Sequence, residues 1–137
     1  MRTPFVLVIA LSMIVSSVIG ATPQEAAAQA VAKNWLALAD AGNATDSYAA
    51  MAPLARQQVS AEKWAELLGQ ARSEGGAMQT RTLRSSRFAS KSPAGRTGEF
   101  VFLEYDTAFE KGGHVTESVA LMKCDDGKFH VVQYRAQ

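Results

Sequence analysis

The sequence predicts an α+β domain, with helices packed on one face of a curved four-stranded antiparallel sheet. Three observations predict it. Apolar residues recur at helical spacing through the first half of the chain, the period shortens to about two after Gly75 and Gly76, and it does not lengthen again. The longest strand-favouring run, residues 99–109 (EFVFLEYDTAF), is the element on which the sheet should be organised. Its odd positions Val101, Leu103, Tyr105, Thr107 and Phe109 form one continuous core face. On the other face Phe100 and Phe102 give way to Glu104 and Asp106, so that face reads as core at one end only.

A chain of 137 residues, 47% hydrophobic and 20% charged, has the composition of one ordinary globular domain. Its first residues read differently. Arg2, an apolar run from Phe5 to Val15, and then Ser16, Ser17, Gly20 and Ala21 follow the three-part layout of a secretory signal. The expected division is a signal over residues 1–21, cleaved after Gly20 or Ala21, and a single domain over residues 22–137. The apolar run is shorter than the roughly 20 residues a membrane helix needs, so membrane contact is expected only through the uncleaved signal. The single cysteine, Cys124, is far from the cleavage point and cannot carry a lipid there. It cannot close an internal disulfide either, and a periplasmic or secreted domain held by its hydrophobic core follows. Without Arg2 the formal charge falls from +1 to about zero, which gives no argument for nucleic acid as a partner.

Taken in order, Thr22, Pro23, Gln24 and Glu25 spell a capping box with proline at the first helical position. Val31, Trp35 and Leu38, with Ala27 and Ala28 a turn earlier, predict one apolar stripe running to about Ala41, where Gly42 and Asn43 stop the helix. Residues 45–58 predict two short turns, the first capped by Asp46 and carrying Tyr48, Ala49 and Met51, the second opened by Pro53. Ser60 caps the next helix, Glu62 suits its dipole, and Trp64, Leu67, Leu68 and Ala71 should share its inner side. Gly75 and Gly76 end it.

Residues 78–89 form a first strand in which Leu83 and Phe88 are the apolar members and Arg81, Arg84 and Arg87 recur every third residue, a spacing that does not decide its inward face. Residues 90–98 (SKSPAGRTG) read as a loop. After the 99–109 strand, Lys111, Gly112 and Gly113 turn the chain, and residues 114–123 alternate Val115, Glu117, Val119 and Leu121 against Thr116, Ser118, Ala120 and Met122. Asp126 and Gly127 make a hairpin turn, and residues 128–135 are the fourth strand.

This layout, ending in a DGKF hairpin, resembles the cone-shaped roll of the nuclear transport factor 2 superfamily. The residues narrow the resemblance. Trp35 followed by Asp40 and Gly42, the helix with Ser60, Trp64 and Arg72, Arg81 with Leu83, the stretch from Gly98 to Tyr105, Glu117 with Val119 and Leu121, and Asp126, Gly127, Val131 and Tyr134 are similar to the exported bacterial family called domain of unknown function 4019. Two positions depart from that pattern, with Phe129 where tryptophan is expected and Gln133 where glycine is. The resemblance implies a fold and an exported location, and it implies no activity.

Glu117 is the most informative polar residue, because alternation places its carboxylate on the same face as Val115, Val119 and Leu121. Buried there, it needs a partner, and Arg72 or Arg81 is the natural one. Such a pair either ties helix to sheet or anchors a ligand. Tyr105 and Asp106 are adjacent in a strand and face opposite sides, so they cannot act together on one substrate. Tyr105 and Tyr134 read as core residues with their hydroxyls at the rim, and Trp35 and Trp64 as core packing that should meet above the sheet, with ligand stacking as the other use. The two histidines, His114 and His130, have no second ligand at metal spacing, and no phosphate loop or nucleophile elbow is present, so neither a metal nor a cofactor is expected. Arg81, Arg84, Arg87, Lys91 and Arg96 lie between Glu74 and Glu99 with no intervening acid, a local charge of +5 that reads either as a charged sheet edge or as a contact for an anionic partner.

The expected function is a non-catalytic binding domain for a small ligand or an envelope protein, with Glu117, Tyr105, Arg81, Arg72, Trp35 and Trp64 as candidate ligand-binding residues. The alternatives are a small pocket enzyme of isomerase or hydrolase type, using Glu117 with Tyr105 or an arginine, and a homodimeric interaction module using the open sheet face.

Overall fold

Four helices precede four strands in the computed structural model, which describes residues 21–137. The signal expected over residues 1–21 therefore lies almost wholly outside the described residues. Helix α1 (Pro23–Asp40) begins where the capping box places it, with the Thr22 hydroxyl accepting from the Glu25 N–H at 3.2 Å. Helices α2 (Ala44–Ala49) and α3 (Pro53–Gln58) are the two short turns, and α4 (Ala61–Gly75) is capped by Ser60, which accepts from the Lys63 N–H at 3.1 Å. Gly76 ends α4 at φ +70, a left-handed conformation that glycine adopts without a steric cost.

Strands β1 (Met78–Lys91), β2 (Thr97–Phe109), β3 (Gly113–Lys123) and β4 (Phe129–Ala136) form one antiparallel sheet in the order β1-β2-β3-β4. Among the described residues the architecture is α+β, helices followed by an antiparallel open sheet. Strand β2 is central and behaves as its alternation predicts. Val101, Leu103, Tyr105, Thr107 and Phe109 are all buried, while on the other face Phe100 is buried and Glu104 is exposed.

Four expectations need correction. The 90–98 loop is shorter, because Ser90 and Lys91 continue β1 and Thr97 and Gly98 already belong to β2. The cap of α2 is Asn43, which accepts from the Asp46 N–H at 3.1 Å and donates to the Asp46 carboxylate at 2.9 Å, so Asp46 is the residue being capped. The buried stripe of α1 is Ala28, Ala32, Trp35, Leu36 and Ala39, rotated so that Ala27 is exposed and Val31 and Leu38 are half-buried. The apolar positions of α1 occupy more than one stripe, and the buried one combines the small Ala28, Ala32 and Ala39 with the large Trp35 and Leu36. On α4 only Trp64 and Leu68 are buried, and Leu67 and Ala71 face solvent.

The inward face of β1 becomes readable once its bulges are known. Register shifts between Leu83 and Ser85 and near both ends of the strand put Arg81, Leu83, Ser86 and Phe88 opposite the inward-facing Thr107, Tyr105, Leu103 and Val101 of β2. An inserted residue inverts the alternation beyond it, so Arg81 and Ser86 share a face despite their odd spacing. The same device acts in β4, where a shift at Ala120/Leu121 lets Val131 and Tyr134 both approach the core. The helical layer is also tied to the β4 edge, because the Ala52 N–H donates to the Val131 carbonyl at 2.8 Å.

Candidate functional site

Asp40, the last residue of α1, is the hub of the polar cluster between helices and sheet. Both oxygens accept from Arg81, at 2.7 Å from Nη1 and 2.9 Å from Nη2, and Arg72 Nη1 adds a third bond at 3.2 Å. An acid at a helix C-terminus opposes the helix dipole, and two arginines arriving from β1 and α4 offset that cost. The remaining bonded face of Arg81 turns to Glu117 of β3, with Nε donating to Oε1 at 2.8 Å. The second Glu117 oxygen accepts from the Tyr134 hydroxyl of β4. The cluster thus links α1, α4, β1, β3 and β4 with two acids and two arginines.

Glu117 is 0% exposed, as its alternation requires, and of the two arginines its partner is Arg81. Arg72 reaches Asp40 instead and stacks over the Phe109 ring at 4.9 Å. Tyr134 differs from its expected place at the rim, since its hydroxyl is turned inward onto Glu117. Burial, then the charge and hydrogen bond of Glu117, push the Tyr134 hydroxyl above the ordinary tyrosine range. Burial works against the Arg81 charge, but the bonds and charges of Asp40 and Glu117 outweigh it and hold the guanidinium above its usual value.

Trp35 and Trp64 meet, with ring centroids 5.7 Å apart, and both are buried. Their indole N–H groups converge on one residue: Trp35 donates to the Ser47 carbonyl and Trp64 to the Ser47 hydroxyl, each at 2.9 Å. That hydroxyl in turn donates to the Asn43 carbonyl at 2.6 Å. Tyr134 packs on Trp35 with centroids 5.3 Å apart, which joins the aromatic group to Glu117. The tryptophans are therefore core residues with satisfied donors.

A cleft of about 440 Å³ opens beside the polar cluster, between α1 and β1. Gln29, Lys33, Leu36, Ala37 and Asp40 line it from the helix, and Met78, Arg81, Leu83 and Tyr105 from the sheet. Tyr105 is only 8% exposed, and its hydroxyl makes no hydrogen bond among the described residues, whereas the Tyr134 hydroxyl is engaged. Burial, eased by Arg81 and reinforced by Glu117, raises the Tyr105 hydroxyl above its ordinary value and keeps it a proton donor at neutral pH. Of the six candidate site residues, Arg81 and Tyr105 line this cleft, Glu117 and Arg72 stand one contact behind it, Trp35 borders a second recess on the other side of α1, and Trp64 lies away from both.

A larger recess of about 630 Å³ lies against the opposite side of α1, with Ala27, Val31, Leu38 and Phe129 among its lining residues. The two histidines serve local contacts: His114 pairs with Asp106 at 3.3 Å, and His130 lies 2.7 Å from Asp126 and 3.2 Å from the Ala50 carbonyl. Among the described residues no group of three His, Cys, Asp or Glu side chains is placed to hold a metal. The basic stretch is divided, since Arg81 is turned inward while Arg84, Arg87, Lys91 and Arg96 stay on the surface, Arg87 lying over the Phe102 ring at 4.6 Å.

The family model described as protein of unknown function (DUF4019) matches residues 31–134, which hold Asp40, Arg72, Arg81, Tyr105, Glu117 and Tyr134. The chain belongs to this family. None of the curated proteins matches it. The DUF4019 match spans α2 to β3, the second half of α1 and all but the last two residues of β4, so the cluster and all of the cleft lining except Gln29 fall within the family region.

Sequence reading missed three of the residues that shape this site. Asp40 carried one signal, an acid placed against the helix dipole. Lys33 and Ser47 carried none, because an exposed lysine and a buried serine are identified only by what surrounds them.

Proposed function

We propose that the protein is an exported, non-catalytic binding domain that takes a small ligand in the cleft between α1 and β1. The observation that carries this reading is Tyr105: a nine-tenths-buried tyrosine lining a ligand-sized cleft, with a hydroxyl that no protein group engages. The hydroxyl is not sealed from solvent, so beside a guanidinium fixed by Asp40 and Glu117 it is a preformed and reachable polar anchor. Leu36, Ala37, Met78 and Leu83 supply the apolar walls.

The polar cluster favours binding over catalysis. A general base must be within reach of substrate, whereas Glu117 has no exposed surface and both its oxygens are already tied to Arg81 and Tyr134. Asp40 is likewise held by two arginines. We assign the fold to the nuclear transport factor 2-like rolls on the packing of helices against one face of a bulged antiparallel sheet. We also assign a periplasmic or secreted location, on the signal-like composition of residues 1–21.

The test is titration with a neutral apolar fluorophore, N-phenyl-1-naphthylamine, against the wild type and Ala37→Trp. Ala37 is an exposed helix position lining the cleft, so the indole fills the space without disturbing the core. Saturable one-to-one binding that weakens at least about tenfold in the variant is expected. Equal binding by both proteins, or none by the wild type, contradicts the reading.

A further inference from the structure

We infer that the ligand of this cleft is a monoanion with an apolar tail, a carboxylate head being gripped by the Tyr105 hydroxyl, Lys33 and the unengaged N–H groups of Arg81. The inference rests on the binding reading above and adds the chemistry of the occupant.

Charge arithmetic supports the sign. The cluster behind the cleft is balanced, with Arg72 and Arg81 against Asp40 and Glu117. Lys33 is added to that balance from the helix wall, and among the described residues it forms no ion pair. The cleft therefore carries one surplus positive charge. Asp40, the acid that lines it, does not repel an anion strongly, because both its oxygens are bound to guanidinium groups.

Donor chemistry points the same way. Arg81 has five N–H groups, of which three are engaged by Glu117 and Asp40, and arginine has no acceptor to offer. Lys33 is also a donor only. Tyr105 remains protonated at neutral pH and can donate. The free charged groups, Lys33 and the open N–H groups of Arg81, are donors only, while Gln29 adds a neutral amide that can donate or accept. The charged part of the site therefore favours an acceptor-only head, and a carboxylate is the compact group that fits that description. Leu36, Ala37, Met78 and Leu83 leave the rest of the cleft apolar, which sets the tail.

The test compares octanoate with 1-octanol, which share an eight-carbon tail and differ at the head, as competitors for the bound fluorophore at neutral pH. Octanoate is expected to displace it at about tenfold lower concentration. Lys33→Gln and Tyr105→Phe should each shrink that preference several-fold, read against each variant's own affinity for the fluorophore. Lys33 is exposed, so its variant keeps the test informative even if Tyr105→Phe perturbs folding. Equal displacement by the two competitors, with fluorophore binding intact, overturns the anionic assignment and leaves the cleft standing. A preference unchanged in both variants overturns it as well. Failure of the fluorophore to bind at all overturns both readings.

Discussion

The space between helices and sheet is closed by different means at its two ends. Toward β4, Trp35, Trp64 and Tyr134 pack ring against ring over Ser47, and each indole N–H has its acceptor. Toward β1, Arg81, Asp40, Arg72 and Glu117 hold helix to sheet by charge-assisted bonds, and a cleft is left open beside them. Aromatic packing fills volume with few charges, and the recess that remains beside it, lined by Trp35 and Phe129, has no buried ion pair behind it among the described residues. Ion pairs fix angles and distances at a desolvation cost, so they suit an end where side chains must stand at set positions beside an opening. Tyr134 belongs to both ends, touching Trp35 with its ring and Glu117 with its hydroxyl.

The largest expected effect lies at the charged end. Glu117→Gln keeps the shape of the side chain and removes its charge, leaving Arg81 with the half-buried Asp40 as its one counter-charge. A loss of about 3 kcal/mol in unfolding free energy by denaturant titration is expected, the range for breaking one partner of a buried pair. Stability equal to wild type would mean that the bond from Arg81 contributes nothing to the fold.

A smaller effect is expected where the two ends meet. Tyr134→Phe leaves the ring on Trp35 and removes one donor from Glu117, a loss of about 1.5 kcal/mol. Its pH dependence identifies the cause. The folded-state value of this hydroxyl is raised above the ordinary 10.0, so its contribution is fully present below about pH 10 and is lost as pH rises toward the raised value. The difference in Tm between wild type and Tyr134→Phe should therefore narrow above pH 10. A constant gap through that range would show that the hydroxyl does not titrate late.

How much of this was legible in the sequence differs between the two ends in the same way. The strands, the helix caps at Thr22 and Ser60, and the burial of Glu117 follow from spacing alone, because period and capping chemistry are local. The pairing of Trp35 with Trp64 was also readable from two apolar stripes. What escaped depended on bulges and long separations. Asp40 meets Arg81 across 41 residues, and Arg81 faces inward only because of its place relative to the bulges of β1. Tyr134 turns inward because β4 is shifted by one residue against β3. A single inserted residue reverses which side chains reach the core, and nothing in a sequence of alternating residues marks where it is inserted.

On the two sides of α1, the polar-anchored cleft and the larger recess compete for any apolar ligand. Backbone amide shifts, mapped by NMR during titration with N-phenyl-1-naphthylamine, distinguish them. Saturable changes are expected at Lys33, Ala37, Leu83 and Tyr105, with Val31, Lys128 and Phe129 unmoved. Changes confined to Val31, Lys128 and Phe129 would contradict binding in the cleft.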